Sequence, residues 1–246
     1  LRPGPASRRS GPCGIAALCL MLGLALGVPA WAEGSRCFGS VARGRLEGGV
    51  QLPARGPNFQ AYSPLAGPAG RTYVHARVAE VVTAAYAALQ AEDASLRFVY
   101  GETGAAGGGP FRPHRTHQNG LSVDFFVPVR DAAGRAVFLP TEVSTRFGYD
   151  LEFDAEGRHG ELQIDFAALA EHLHRLHLAA TQQGMRLALV ILDPAYLPHL
   201  FATPRGAELR TRLNFMQRPA WVRHDEHYHV DFDLPCQPLP RPAVRR

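Results

Sequence analysis

The chain has 246 residues, 46% of them apolar and 20% charged, with a formal net charge of +4. That is enough apolar chain to bury a core, in one large domain or two small ones. All 26 basic residues are arginine; without lysine there is no Ser-x-x-Lys acyl-transfer site, no Walker-type phosphate loop and no Schiff-base lysine.

Residues 1–32 read as a secretory signal peptide. Arg8 and Arg9 precede an apolar run over residues 15–26, and Ala30-Trp31-Ala32 gives the small-x-small pattern of a cleavage site. About a dozen apolar residues fall short of the roughly 20 that span a bilayer, so no stable membrane anchor is expected after cleavage. The segment holds Arg2, Arg8 and Arg9 and no acid, so removing these three charges takes the remainder from +4 to +1. Nothing in that balance speaks for a nucleic-acid partner. Cys37 and Cys236 are the cysteines left, and in an exported chain they are expected to form a disulfide.

Residues 33–70, rich in Gly and Pro, predict an ordered arm with little regular structure. Val74, Val78, Val81, Val82, Ala85 and Leu89 recur at helical spacing and predict an amphipathic helix. Strands are expected over 96–100 and 121–127. The Gly-rich stretch between them, Gly101 to Gly109, reads as a mobile loop. Asp154-Ala-Glu-Gly157, between residues 149–153 and 158–163, predicts a hairpin. A second helix runs from an Asp165 cap to a Gly184 stop. Residues 185–192 predict a short buried strand, 207–215 a helical patch, 226–234 a last strand, and the Pro/Arg-rich residues 237–246 a loose tail. Helices mixed with short strands, without regular alternation, predict one α+β domain over residues 33–236: a central antiparallel sheet flanked by helices.

Side chains alternate across a strand. Ser122, Asp124 and Phe126 therefore share one face of their strand, and Asp225, His227, His229 and Asp231 share one face of the last. Two neighbouring strands of this kind present Asp124 and His229 to a single metal, with His117 arriving from the preceding loop and Gly120 permitting the turn between them. Two imidazoles and a carboxylate suit Zn²⁺, and three protein ligands leave the fourth tetrahedral position open, as in a catalytic site. Any one His or Asp is more often a surface or satisfied core group; it is the spacing of several that favours the metal. By the same alternation Glu226 points away from His227, which makes it a poor general base. Gly120-Leu-Ser122-Val-Asp124 lacks the Gly-x-Ser-x-Gly elbow of a serine hydrolase. His172, His174 and His177 lack the i, i+4 pair of a helical zinc motif and are expected in solvated or capping roles. Arg112 or Arg115 could bind a substrate carboxylate, against the blander reading of solvated loop arginines.

Two blocks carry a family resemblance: Pro110-Phe-Arg-Pro-His114-Arg-Thr-His117-Gln-Asn-Gly-Leu-Ser-Val-Asp124-Phe and Trp221-Val-Arg-His224-Asp-Glu-His227-Tyr-His229-Val. His117 with Asp124 seven positions on, and a late His-x-His, resembles the zinc peptidase superfamily of lysostaphin-type enzymes, D-Ala-D-Ala metallopeptidases and hedgehog domains. More narrowly the blocks resemble the penicillin-insensitive murein endopeptidases, over most of the chain from the Cys37 region to Cys236. The resemblance implies Zn²⁺ on His117, Asp124 and His229, His227 as the catalytic imidazole, His224 as a second imidazole of the site, and His114 as a site-shaping residue beside Arg112. It implies a periplasmic hydrolase of peptidoglycan that cuts the D-alanyl–meso-diaminopimelyl cross-link. The alternatives are a D,D- or L,D-carboxypeptidase or dipeptidase of the same superfamily, or a non-catalytic cell-wall-binding module. β-Lactams acylate a serine, and a chain without lysine cannot build that serine site.

Overall fold

The computed structural model describes Leu1, Gly4, residues 34–218, Ala220 and residues 222–239. Apart from Leu1 and Gly4, the predicted signal peptide lies outside the described residues, as does the chain from residue 240 on.

Five short strands occupy the stretch expected to carry little regular structure: β1 (Arg36–Ser40), β2 (Arg43–Glu47), β3 (Val50–Gln51), β4 (Phe59–Ala61) and β5 (Tyr73–Val74). β1 and β2 form a hairpin, β3 pairs with β5, and β4 joins the main sheet. Strands of two to five residues leave no run long enough for a period-2 signal. Helix α1 (Ala76–Glu92) follows as its spacing predicts, burying Val78, Val81, Val82, Ala85 and Leu89. His75 caps it, Nδ1 accepting the Arg77 N–H at 3.2 Å.

After β6 (Phe98–Tyr100) and β7 (Ser122–Phe126) come β8 (Val129–Arg130), β9 (Ala136–Val137), β10 (Arg158–His159) and β11 (Leu162–Ile164), the last four forming a small sheet in the order β10-β11-β8-β9. The expected hairpin is displaced. The turn at Asp154 does form, with the Gly157 N–H donating to the Asp154 carbonyl at 2.9 Å, but the paired strands are β10 and β11. Phe153 is unavailable as their partner: its N–H goes to Asp225 Oδ2 at 2.7 Å and its carbonyl accepts from the Arg223 guanidinium.

Helix α2 (Phe166–Gln182) starts on Asp165, whose carboxylate accepts the Ala168 N–H at 3.0 Å, and stops before Gly184 at φ 63°. β12 (Arg186–Ile191), α3 (Leu197–Phe201), α4 (Gly206–Arg212) and β13 (His227–Asp233) complete the chain. The main sheet has the order β12-β13-β7-β6-β4, antiparallel except for the parallel pair β4–β6. β12 is its edge, so Arg186 and Ala188 are exposed and the strand is half-buried rather than buried. The architecture is a single α+β domain.

Parity decides which face of this sheet does what. Val123 and Phe125 of β7, with Tyr228 and Val230 of β13, turn toward the apolar sides of α1 and α2 and are buried with them. Phe125 packs edge-on to Tyr86 of α1 and to His172 of α2, at centroid distances of 6.4 and 4.9 Å. His172 is therefore not solvated. It lies three and four residues from Leu169 and Leu176 on the inward stripe of α2, stacks 4.9 Å from Tyr86 and hydrogen-bonds Tyr228 Oη through Nδ1. His174 is buried too, with Nδ1 3.3 Å from Glu208 of α4.

Cys37 of β1 is joined to Cys236 by the expected disulfide. Just beyond it Gln237 is held: the Gly39 N–H donates to the Gln237 carbonyl at 2.8 Å, and the Gln237 N–H to the Cys37 carbonyl at 2.9 Å, while residues 240–246 of the expected tail lie outside the described residues. No helix among the described residues is long and apolar enough to cross a membrane.

Candidate metal centre

The opposite face of the sheet carries the polar residues. Cross-strand register sets Asp124 opposite His229, Ser122 opposite Asp231 and Phe126 opposite His227. Directly opposed residues lie about 4.5–5.5 Å apart, so pairing alone brings two of the expected ligands together. His117 enters from the loop before β7. Its backbone is left-handed at φ 64°, a strained state for a non-glycine residue that clusters at functional sites.

Three donors meet at Asp124. His229 Nδ1 lies 2.8 Å from Asp124 Oδ1, and His117 Nε2 lies 3.2 Å from the same oxygen without forming a hydrogen bond. His114 Nδ1 is 3.7 Å from Asp124 Oδ2. His114, His117 and Asp124 each offer a ligand atom within 4.8 Å of the others, so His114 stands closer to the donor cluster than a merely site-shaping residue would. His117 Nδ1 donates to the Thr103 carbonyl at 3.1 Å, which leaves Nε2 with its lone pair. Both this Nε2 and Asp124 Oδ2 are buried without a hydrogen-bond partner. Orphaned buried acceptors carry a desolvation cost, and a cation between them would relieve it; the donor set fits Zn²⁺.

The surroundings tune each group. His229 Nε2 meets Asp231 Oδ1 at 2.7 Å, and Ser122 Oγ donates to the same oxygen at 2.6 Å. Burial opposes charge on His229, but Asp231 and Asp124 outweigh it and push its pKa up to about 10. Burial likewise favours a neutral Asp124, yet His117, His229 and His227 hold it well below the ordinary carboxylate range. Burial pulls His117 down. It also takes His227 and His224 down to about 4 each, so both imidazoles are neutral at pH 7. Their rings lie 4.5 Å apart, and His224 Nδ1 donates to the Val222 carbonyl at 2.7 Å.

Several neighbours differ from the sequence reading. Glu226 does not point away from His227: β13 begins at His227, alternation does not reach Glu226, and its Oε1 lies 2.7 Å from His227 Nδ1. Burial raises Glu226 to about 8, so this contact joins a neutral carboxyl to a neutral imidazole and is no ion pair. Asp225 faces Phe153 and Arg223 instead of the site. Arg112 is exposed and off the cavity wall, and its carbonyl accepts from Arg71 at 2.9 Å. The Gly-rich stretch is tied down beside the centre: the Gly101 N–H donates to the Asp124 carbonyl at 2.7 Å, and the Gly104 carbonyl accepts the Tyr73 N–H at 3.0 Å.

That stretch also supplies Glu102, which sequence reasoning missed. Its carboxylate binds Arg71, accepts from Tyr62 Oη at 2.9 Å and meets His114 Nε2 at 2.5 Å. Burial alone would raise its pKa, but Arg71 and His114 bring it down to about 2. Tyr149 Oη accepts the Glu102 N–H at 3.0 Å, and its ring stands edge-on 5.3 Å from His227. A Cβ on residue 101 would lie 2.5 Å from that hydroxyl, so any larger residue there would have to displace Tyr149. A lone carboxylate and a lone tyrosine carry no spacing signal; Gly101 beside a strand end is the one local hint. These groups border a cavity of about 1190 Å³ that Leu189, Ile191, Met216 and Val222 also line.

None of the curated proteins matches the chain significantly. The family model described as penicillin-insensitive murein endopeptidase matches residues 37–239, from the first disulfide cysteine through the segment pinned along β1, and so takes in every residue of the centre. With the resemblance read from the two histidine blocks now met by a match over most of the sequence, the chain belongs to the penicillin-insensitive murein endopeptidase family.

Proposed function

We propose that this peptidase is an exported, zinc-dependent DD-endopeptidase that hydrolyses D-alanyl–meso-diaminopimelyl cross-links in peptidoglycan. One Zn²⁺ per chain is held by His117, Asp124 and His229. Residues 1–32 are its signal peptide, residues 33–236 its catalytic domain, and the periplasm its compartment. The observation that carries this reading is the pair of orphaned buried acceptors, His117 Nε2 and Asp124 Oδ2; His229, protonated and bonded to Asp124 and Asp231 without the cation, would release its Nδ1 proton on joining them. Bound there, the cation supplies Lewis acidity toward a scissile carbonyl and lowers the pKa of a water toward neutrality.

The protein's own residues do the rest. Thr103 and Asp231 hold His117 and His229 by their other ring nitrogens, which fixes the aim of both ligands. His227, or His224 beside it, both neutral at pH 7, takes the proton shed by the attacking water and returns it to the leaving amine. A cavity of about 1190 Å³ is larger than a dipeptide needs and supports cutting within a branched, cross-linked peptide. The disulfide supports an oxidising compartment.

Metal quantification on the purified protein, with chromatography of digested sacculi, tests the reading. About one zinc per chain and conversion of cross-linked dimers to monomers are expected. Removal of terminal D-alanine with cross-links intact would make it a carboxypeptidase instead. Asp124→Ala should lose metal and activity together. His227→Ala should keep the metal while turnover falls by roughly 10²- to 10⁴-fold.

A further inference from the structure

Glu226 and His227 are adjacent in the chain and yet meet side chain to side chain. Glu226 lies just outside β13, where its carbonyl accepts the Val127 N–H at 3.0 Å and sets the backbone direction into the strand. Its carboxyl then folds back so that Oε1 lies 2.7 Å from His227 Nδ1, with each side chain only 5% exposed. His227 Nε2 has no hydrogen-bond partner among the described residues, and both side chains border the cavity. The other contacts of the ring are faces and edges, from His224, Tyr149 and Phe126. They confine it without choosing which nitrogen faces the substrate.

An imidazole with a free Nδ1 can rotate about its Cβ–Cγ bond and carry its proton on either nitrogen. A buried hydrogen bond at Nδ1 removes both freedoms. We propose that Glu226 is a positioning residue for His227, which occupies Nδ1 and thereby makes Nε2 the nitrogen that exchanges protons with the substrate. This rests on the reading of His227 as the proton-transfer group. In the hydrolysis, the oxygen of water bonds to the scissile carbonyl carbon and the C–N bond breaks. Its electron pair stays on the amine nitrogen, and the proton lost by water ends on that nitrogen. Nε2 carries this proton between the two, and Glu226 keeps the ring aimed along the path without touching the substrate.

The experiment is steady-state kinetics on a cross-linked muropeptide dimer, using the full mature chain with its metal. Glu226→Met keeps the buried volume and removes the hydrogen-bonding oxygens, whereas Glu226→Gln keeps an acceptor for Nδ1–H. The methionine variant should lose about 10- to 100-fold in kcat, the range for removing an orienting partner of a site histidine, with KM and zinc content unchanged. The glutamine variant should recover to within a few-fold of the wild type. In a His227→Ala background, Glu226→Met should cost nothing further, because residues that act as a unit are not additive. Wild-type kcat in Glu226→Met, a full additional loss in the His227→Ala background, or a glutamine variant as impaired as the methionine one would each overturn the proposal. Wild-type kcat in His227→Ala would instead remove His227 from the chemistry, a separate failure seen in a separate protein. Nitrogen-15 spectra of the histidine-labelled wild-type chain read the bond at Nδ1 directly, and its absence there would overturn the proposal even if the variants did not fold.

Discussion

His172 stays neutral because it is wholly enclosed between Tyr86, Phe125 and Tyr228. Burial takes its pKa down to about 3 from an ordinary 6.5, and His75, the cap of α1, falls to about 4 for the same reason with Arg77 adding to the shift. Both folded values lie below the unfolded one, so the unfolded chain binds more protons between them. The stability they contribute is complete above pH 6.5 and is lost as the pH falls toward 4 and then 3. Each group costs up to about 1.4 kcal/mol per pH unit in that window. Urea midpoints measured from pH 7 to pH 4 should fall steeply in the wild type, and His172→Phe should flatten the slope; an unchanged slope would mean that the ring is not held neutral. From the sequence, His172 was one of three helix histidines with no metal spacing, and nothing marked it as a core residue except its place between Leu169 and Leu176. The proposed ligands were singled out for the opposite reason: few residue types bind zinc, and Asp124 and His229 stand in strands whose parity can be read, with His117 in the loop before the first of them. Glu226 was misread because parity was extended one residue past the point where the strand begins.

At the scale of elements, the two long helices and the two strands that carry the centre were legible because each repeats its pattern over several residues. The hairpin near Asp154 was misplaced because its competitor for hydrogen bonds is Asp225, some seventy positions away, which no local pattern reveals. Helix α2 depends on its first turn. Asp165 accepts the Ala168 N–H at 3.0 Å and also pairs with the half-exposed Arg130 guanidinium at 2.6 Å. Asp165→Ala should therefore destabilise the protein by roughly 1–2 kcal/mol, mostly through the lost cap, since a solvent-screened ion pair adds little. Chemical denaturation measures this directly, and a loss below a few tenths of a kcal/mol would show that tertiary packing alone fixes the start of α2.

The whole molecule is closed by a disulfide between residues 199 positions apart, which joins the first hairpin to the chain just past the last strand. In the chain-entropy model a link across so long a loop stabilises by about 5 kcal/mol, though native strain and residual unfolded structure often reduce this. Reducing the bond, or replacing Cys37 and Cys236 by Ser, should lower the melting temperature markedly and loosen the pinned residues 237–239 first. Equal melting temperatures for the oxidised and reduced chains would assign closure to the core alone.

Because β7 and β13 pass through the centre of the molecule with a different neighbour on each side, their residues answer to different masters at every second step. Changing Val123, Phe125, Tyr228 or Val230 should yield protein that melts early but, when folded, still cleaves. Changing Asp124, His227 or His229 should instead lower turnover of the folded protein far more than any change in its melting temperature accounts for. A substitution scan along either strand would thus rise and fall with a period of two in both readouts, the maxima of one falling on the minima of the other.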